Sequence, residues 1–363
     1  MPCALGYSWS MQRTDPLLRW RLAPVDRFPD VAQHWQRLAT QCSSAPFLRL
    51  EFIEPSLAHF AVGGEKIAIG ERDGTVSALA ILSAPARGRS NSFQPSQLPL
   101  GPILVDRELT VATVIESLTR YLPVSSLAVG FTQLDSAIYP RPASTATLAV
   151  GDYIQTAWVD VAGTFPEYWE ARGKNLKQNI RKQRRKLLED GVATRLEVIR
   201  DPALVAGALD DYGRLESSGW KASGGTAIHP GNTQGRFYRD MLERFCATGR
   251  GCIYRYRFAD QVVAVDLCIE SETALVILKT TYDESIKALS PAFLMREEAF
   301  SRIWEEGRIQ RIEFFGKLMD WHKRWTDNAR DIYHLTNYRW NWLKRLGARA
   351  APSSESSESQ SSE

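Results

Sequence analysis

A chain of 363 residues exceeds the usual size of one domain, so two domains are expected. With 44% hydrophobic and 24% charged residues the composition is that of an ordinary globular protein, and a formal net charge of +3 is too small to argue for nucleic acid by itself. The cysteines, Cys3, Cys42, Cys246, Cys252 and Cys268, are odd in number and form no Cys-x-x-Cys pair, which excludes a disulfide framework and a metal site as expectations and fits a reducing cytoplasm.

Residues 1–19 open without a basic segment followed by an apolar one, and nowhere do about 18 apolar residues run together. Neither a standard export signal nor a transmembrane segment is expected, and the opening stretch is taken as poorly structured, so that Met11 also qualifies as a start. From residue 20 to 162 short helices and strands alternate. Lys66 to Arg72 and Thr75 to Leu82 are β-rich runs around Asp73-Gly74, a strong hairpin signal. Arg107 to Tyr121 has the helical spacing Leu109, Ala112, Ile115 and Leu118, and Ser126 to Phe131 is apolar enough for a buried strand. No catalytic motif stands out here, so a scaffold or lid is expected.

Residues 163–347 are more legible. Asn175 to Asp190 is predicted helical with Leu176, Ile180 and Leu187 on one face, and Pro202 to Ser217 and Gln234 to Ala247 are two more helices. Between them Gly219 to Thr226 is a glycine-rich loop. Three strands follow, Cys252 to Phe258, Gln261 to Glu270 and Thr273 to Tyr282, joined by turns that allow only an antiparallel meander. Ser290-Pro291 then opens a helix that closes at Gly307, with Arg308 to Phe315 returning as a strand. Serine is a preferred N-cap, proline suits the first helical position, and the free N–H groups of such a start attract anions. Residues 348–363, rich in serine and glutamate, are too poor in apolar residues to order themselves.

Tyr282-Asp283-Glu284, Ser290-Pro291, Ile312-Glu313-Phe314 and Trp325-Thr326-Asp327 resemble the FemAB/CelD-like branch of the GNAT acyltransferases over about Phe165 to Trp342. Ala292 stands where that family commonly has glycine. The resemblance implies an α/β fold with a mixed sheet in tandem GNAT-like domains, the second complete and the first degenerate. It implies acyl transfer from a thioester, acyl-CoA as co-substrate, to an amine or hydroxyl of a small-molecule, sugar or cell-envelope precursor acceptor. The CelD likeness points towards exopolysaccharide. In the FemAB relatives the donor is instead an aminoacyl-tRNA, so nucleic acid is a partner only on that alternative; a GNAT fold serving as a binding module without turnover is a third. The donor phosphates are expected near Tyr282 and the Ser290, Pro291, Ala292, Phe293 corner.

Several residue groups then compete for roles. Arg172, Lys174, Lys177, Arg181, Lys182, Arg184, Arg185 and Lys186 cluster without an acid between them, forming either a solvated helix face or an anion site in which Arg181 and Arg185 meet a coenzyme A phosphate, a tRNA acceptor stem or an anionic membrane. Asp266 interrupts the apolar run Val262 to Ile269, which is costly without a partner. A two-residue turn at Ser271-Glu272 pairs Ala264 with Lys279 and makes Asp266 and Lys279 diagonal neighbours, either a structural ion pair or a pair poised on the acyl group; a three-residue turn puts them on opposite faces. Glu313, at the family's acidic position, and His322, which titrates near neutrality, are the candidate bases. Trp321, with Trp325, Tyr333, Tyr338, Trp340 and Trp342, either packs a core or stacks on a sugar. Trp220 and Lys221 in the glycine-rich loop are a candidate lid over the acceptor.

Overall fold

The computed structural model of the protein describes residues 18–42, 45–218 and 228–350. The opening stretch, the loop carrying Trp220 and Lys221, and the Ser/Glu-rich tail lie outside the described residues. In the first half the elements are β1 (Arg19–Pro24), α1 (Ala32–Cys42), α2 (Leu50–Phe60), β2 (Lys66–Arg72), β3 (Thr75–Ala86), β4 (Arg89–Ser92), β5 (Ile103–Val105), α3 (Val111–Tyr121), β6 (Ala128–Asp135) and β7 (Leu148–Asp160). The second half contributes α4 (Phe165–Glu170), α5 (Lys174–Glu189), β8 (Thr194–Ile199), α6 (Val205–Ser218), α7 (Thr233–Ala247), β9 (Gly251–Phe258), β10 (Gln261–Glu270), β11 (Ala274–Tyr282), α8 (Pro291–Glu306), β12 (Arg311–Glu313), α9 (Asp320–Lys323), β13 (Ala329–Tyr338) and α10 (Asn341–Ala350).

Local chemistry accounts for many of these boundaries. Asp73 and Gly74 both have positive φ, 52° and 77°, the requirement of a primed hairpin turn, and they join β2 to β3 as expected. Thr110 accepts a hydrogen bond from the Thr113 N–H at 3.1 Å, so α3 starts after it rather than at Arg107. Thr164 and Glu167 form a reciprocal capping box at α4. On α5 Leu176, Ile180 and Leu187 are buried with Gln183, the narrow face that the spacing predicts. Gly307 closes α8 at φ 64°, whereas β12 is only three residues long because Phe315, at φ 47°, turns the chain away.

All strands join one 13-stranded sheet whose order is β1-β2-β3-β4-β6-β13-β7-β12-β11-β10-β9-β8, with β5 beside β3. This order is symmetric about its centre. Each half supplies an antiparallel run, then a short parallel pair, β4 with β6 and β11 with β12, and every other neighbour is antiparallel. β7 closes the first half in sequence yet lies beside β12, and β13 closes the second yet lies beside β6. The halves therefore exchange their last strands, and the sheet is continuous across the expected division near residue 162.

One face of the sheet carries α1, α2, α6 and α7 over a single core that includes Trp35, Phe52, Tyr212 and Phe237. On the other face α3 covers the first half around Leu118 and Phe131, while α5 and α8 cover the second around Ile180, Phe300 and Trp325. Strand alternation sorts the side chains: Val265, Leu267 and Ile269 of β10 join the first core, Ala264 and Cys268 the second.

The exchanged strands are tied by charge. Arg330 of β13 donates to Asp135 of β6 at 2.8 Å and to Glu313 of β12 at 2.8 Å, and all three side chains are buried. Replacing Arg330 by Met leaves two buried carboxylates without their cation, so the expected loss is about 3–5 kcal/mol of unfolding free energy. Urea denaturation measures it, and a loss near zero removes this ion network from the account of how the halves are held.

Candidate active site

The site begins where two strands separate. β11 and β12 are in parallel register only from Ala274 to Val276 and from Arg311 to Glu313. Beyond that point β11 stays on β10 as far as Tyr282, whereas the other chain leans towards β7, with Phe314 N–H donating to Ala157 O and Leu318 N–H to Gln155 O. The result is a wedge with residues 277–282 along one wall and Phe314, Phe315, Trp321 and His322 along the other.

The equivalent parting of β4 and β6 in the first half is filled. Ser92 Oγ and Thr132 Oγ1 lie 2.6 Å apart, Gln94 Nε2 donates to Gln133 Oε1, and Gly101 N–H donates to Gln133 O. Gly101 approaches so closely that a β-carbon there would lie 2.4 Å from Thr132 O. A polar plug thus makes the first half degenerate in physical terms.

On the α8 side of the second wedge, Asp266 is 1% exposed and is met by Arg296, itself 2% exposed. Arg296 Nη2 lies 3.2 Å and 3.4 Å from the Asp266 carboxylate oxygens and donates to Thr280 Oγ1 at 3.0 Å. Its guanidinium lies 4.8 Å from the Trp321 ring centroid and 5.9 Å from that of Phe314. The cation consequently bridges the two walls. Trp321 stacks on His322 with ring centroids 3.5 Å apart. Burial, aided by Arg296, lowers the His322 pKa to about 4, and its Nδ1 accepts a hydrogen bond from Met319 N–H at 2.9 Å. That bond assigns the ring proton of the neutral imidazole to Nε2, which leaves this nitrogen a donor.

The expected pairing of Asp266 with Lys279 is corrected by the register. Asp266 lies opposite Thr280 and Leu267 opposite Lys279, with an irregularity between Leu267 and Cys268, so the two charged residues point to opposite faces. Lys279 Nζ sits 5.5 Å from the Tyr238 ring centroid on the α7 side. Nearby, buried Glu216 accepts from Ile228 N–H at 2.8 Å, and it joins burial in raising the phenols of Tyr212 and Tyr238 above their usual range. Glu313 is held by Arg330, and burial raises its pKa against that cation.

Ser290 does open α8, but not as a side-chain cap. It adopts φ 54° and ψ 48°, its carbonyl accepts from Phe293 and Leu294 N–H, and its hydroxyl accepts from Asn179 of α5. Pro291 has no N–H, so Ala292 carries the first-turn amide left for an anion. Phe293 stacks on Trp325, and Tyr282 is half-buried in the core with α5 and α8. On α5, Lys177 pairs with Glu170 and Arg184 with Glu297 and Glu298, while Arg181, Lys182, Arg185 and Lys186 are exposed. Trp325 and Tyr333 are core, whereas Trp340 and Trp342 stack on each other at the surface. Arg296, Tyr212 and Glu216 escaped the sequence reading. Their signal is a polar residue on an otherwise apolar helix face: Ala292, Arg296, Ala299 and Ile303 share one, as do Val205, Leu209, Tyr212 and Glu216.

Residues 174–325 match the family model of the acetyltransferase (GNAT) domain. The second half is thus similar to a GNAT domain over that span. The wedge, with α8 beginning beside it and the C-terminal strand exchanged, lies within or against that span. FemX superposes with TM-score 0.58 at 9% identity, covering 87% of this chain and 98% of its own. The C-terminal domain (DUF2156) of an Agrobacterium fabrum protein assigned as a lysylphosphatidylglycerol synthetase gives 0.57 at 11% identity, with 88% and 95% covered. L-PGS from Bacillus licheniformis gives 0.50 at 12%, with 87% and 96% covered. At such identities the likeness is one of fold. No curated protein matches the sequence. No helix among the described residues is long and apolar enough to cross a membrane.

The depressed His322 pKa has a measurable consequence. Between about 4 and the ordinary histidine value of 6.5 the unfolded chain binds a proton there that the folded chain does not, so this contribution to stability is present above pH 6.5 and is lost as pH falls towards 4. His322→Gln is expected to lose less stability than the wild type between pH 7 and pH 4.5 in urea titrations. Equal losses in the two proteins over that interval would place the proton elsewhere.

Proposed function

We propose that the protein transfers an acyl group from acyl-CoA to an amine or hydroxyl of a small-molecule, sugar or cell-envelope precursor acceptor. The observation that carries this reading is the parting of β11 from β12 beside the start of α8, in the half that matches the GNAT domain. A thioester laid along β11 has its carbonyl in the wedge, with the donor phosphates towards Ala292 and the exposed cations of α5. The acceptor enters from the α6 and α7 side, where Lys279, Tyr238 and Glu216 lie. A thioester is already activated, so the protein needs to position both partners and accept one proton, with no covalent intermediate. Glu216 is the carboxylate on that side. Glu313 and His322 are less suited, since Arg330 holds the first and the acceptor nitrogen Nδ1 of the second is already taken by Met319 N–H.

A second reading is favoured by a separate observation. The exposed face of Arg181, Lys182, Arg185 and Lys186 also suits the phosphates of an aminoacyl-tRNA, the donor implied by the FemAB resemblance. Titration calorimetry with acetyl-CoA and with RNA separates them: acetyl-CoA binding without RNA supports the first, and RNA binding with no affinity for acetyl-CoA replaces it by the second.

Replacing Arg181, Lys182 and Arg185 together by glutamine is expected to raise the donor KM and flatten its dependence on salt, because fewer ionic contacts remain to be screened. Steady-state kinetics at two ionic strengths test this. An unchanged KM and salt slope would reduce the cluster to a solvated helix face.

A further inference from the structure

Arg296 is under-satisfied for a buried cation. Its Nη2 takes both polar neighbours, Asp266 and Thr280, while Nε has no hydrogen-bond partner among the described residues. A buried donor without an acceptor costs free energy, and such a group is retained where something else supplies the acceptor. Charge narrows the chemistry of that acceptor. Asp266 already neutralises the guanidinium, so a second full anion is not called for, whereas a neutral oxygen that gains charge during reaction fits. Position narrows it further, because the guanidinium spans the mouth of the wedge from Thr280 on β11 to Trp321 and Phe314 beyond β12.

We propose that Arg296 is a catalytic residue whose Nε–H binds the carbonyl oxygen of the acyl donor, an assignment that rests on the acyl-CoA reading above. The acceptor's nitrogen or oxygen lone pair forms the new bond to the carbonyl carbon, and the C=O π pair moves onto the oxygen facing Arg296. When that pair returns, the carbon–sulfur bond breaks and its electrons leave with the coenzyme A thiolate; the proton lost by the acceptor passes to the base and then to the thiolate. Arg296 transfers no proton. Asp266 and Thr280 fix its plane, and Trp321 covers one face and keeps water from it, which strengthens the interaction with the developing oxyanion.

The test uses Arg296→Lys, which keeps a cation for Asp266 but has no group at the Nε position, with hydroxylamine as acceptor and thiol release from acetyl-CoA as the signal. Turnover is expected to fall by about 10²- to 10³-fold, the usual effect of removing one oxyanion donor. Binding of free coenzyme A, which has no acyl carbonyl, is expected to stay as in the wild type by calorimetry. The double variant Arg296→Met with Asp266→Leu removes both charges, so that no lone buried ion prevents folding, and it is expected to lose turnover equally. Full turnover in either folded variant overturns the proposal, as does a parallel loss of coenzyme A affinity and turnover in Arg296→Lys, which marks a structural role. Wild-type protein that binds neither acetyl-CoA nor coenzyme A overturns the donor reading itself, and the assignment with it; that failure is recognised because it precedes any substitution.

Discussion

Arg330 sits on a strand that the second half of the chain lends to the first, and its guanidinium holds one carboxylate from each side of the exchange, Asp135 from β6 and Glu313 from β12. Its ring neighbours, Trp158 of β7 and Phe315, lie 5.3 and 5.0 Å from it. A cation buried at such a junction is tolerated only when its partners are in place, so the charges specify how the central strands meet. This constraint also locates the wedge. Glu313 is the last residue of β12 in register with β11, and the chain turns at Phe315 immediately after the carboxylate is fixed.

The two halves show how one backbone scheme yields a closed and an open parting. Gln133 in the first half and Phe315 in the second both take positive φ, 52° and 47°, near the point where a parallel pair separates. In the first half Gln133, Thr132, Ser92 and Gln94 bond to one another and Gly101 fits against their backbone. In the second half aromatic rings and one arginine line the parting, and among the described residues they have no comparable set of mutual hydrogen bonds. The two partings therefore differ in what lines them and not in the strand order.

Buried charge is unevenly spread on the two faces of the wedge. Towards α8 the pair of Asp266 and Arg296 is compact, and burial together with the Arg296 charge favours the neutral form of His322. Towards α6 and α7 the groups are Glu216, Tyr212, Tyr238 and Lys279, with both phenols kept protonated by burial and by Glu216.

Local rules were sufficient for the elements that specify themselves. The Asp73-Gly74 hairpin, the α5 stripe of Leu176, Ile180 and Leu187, the meander from β9 to β11 and the stop at Gly307 follow from turn geometry and periodicity within short windows. The motif around Tyr282, Ser290 and Glu313 likewise carried the GNAT resemblance. What sequence alone left undecided was non-local: β7 and β13 are defined by strands far away in the chain, so neither was foreseen, and the first half's plug needs Ser92 and Thr132, 40 residues apart, to meet. The register of β10 against β11 depends on an irregularity at Leu267 and Cys268 that inverts the face of Lys279 relative to Asp266. A one-residue slip in a period-two structure exchanges the faces, so the true partner of Asp266 had to come from another element, and only packing α8 on the sheet brings Arg296 to it.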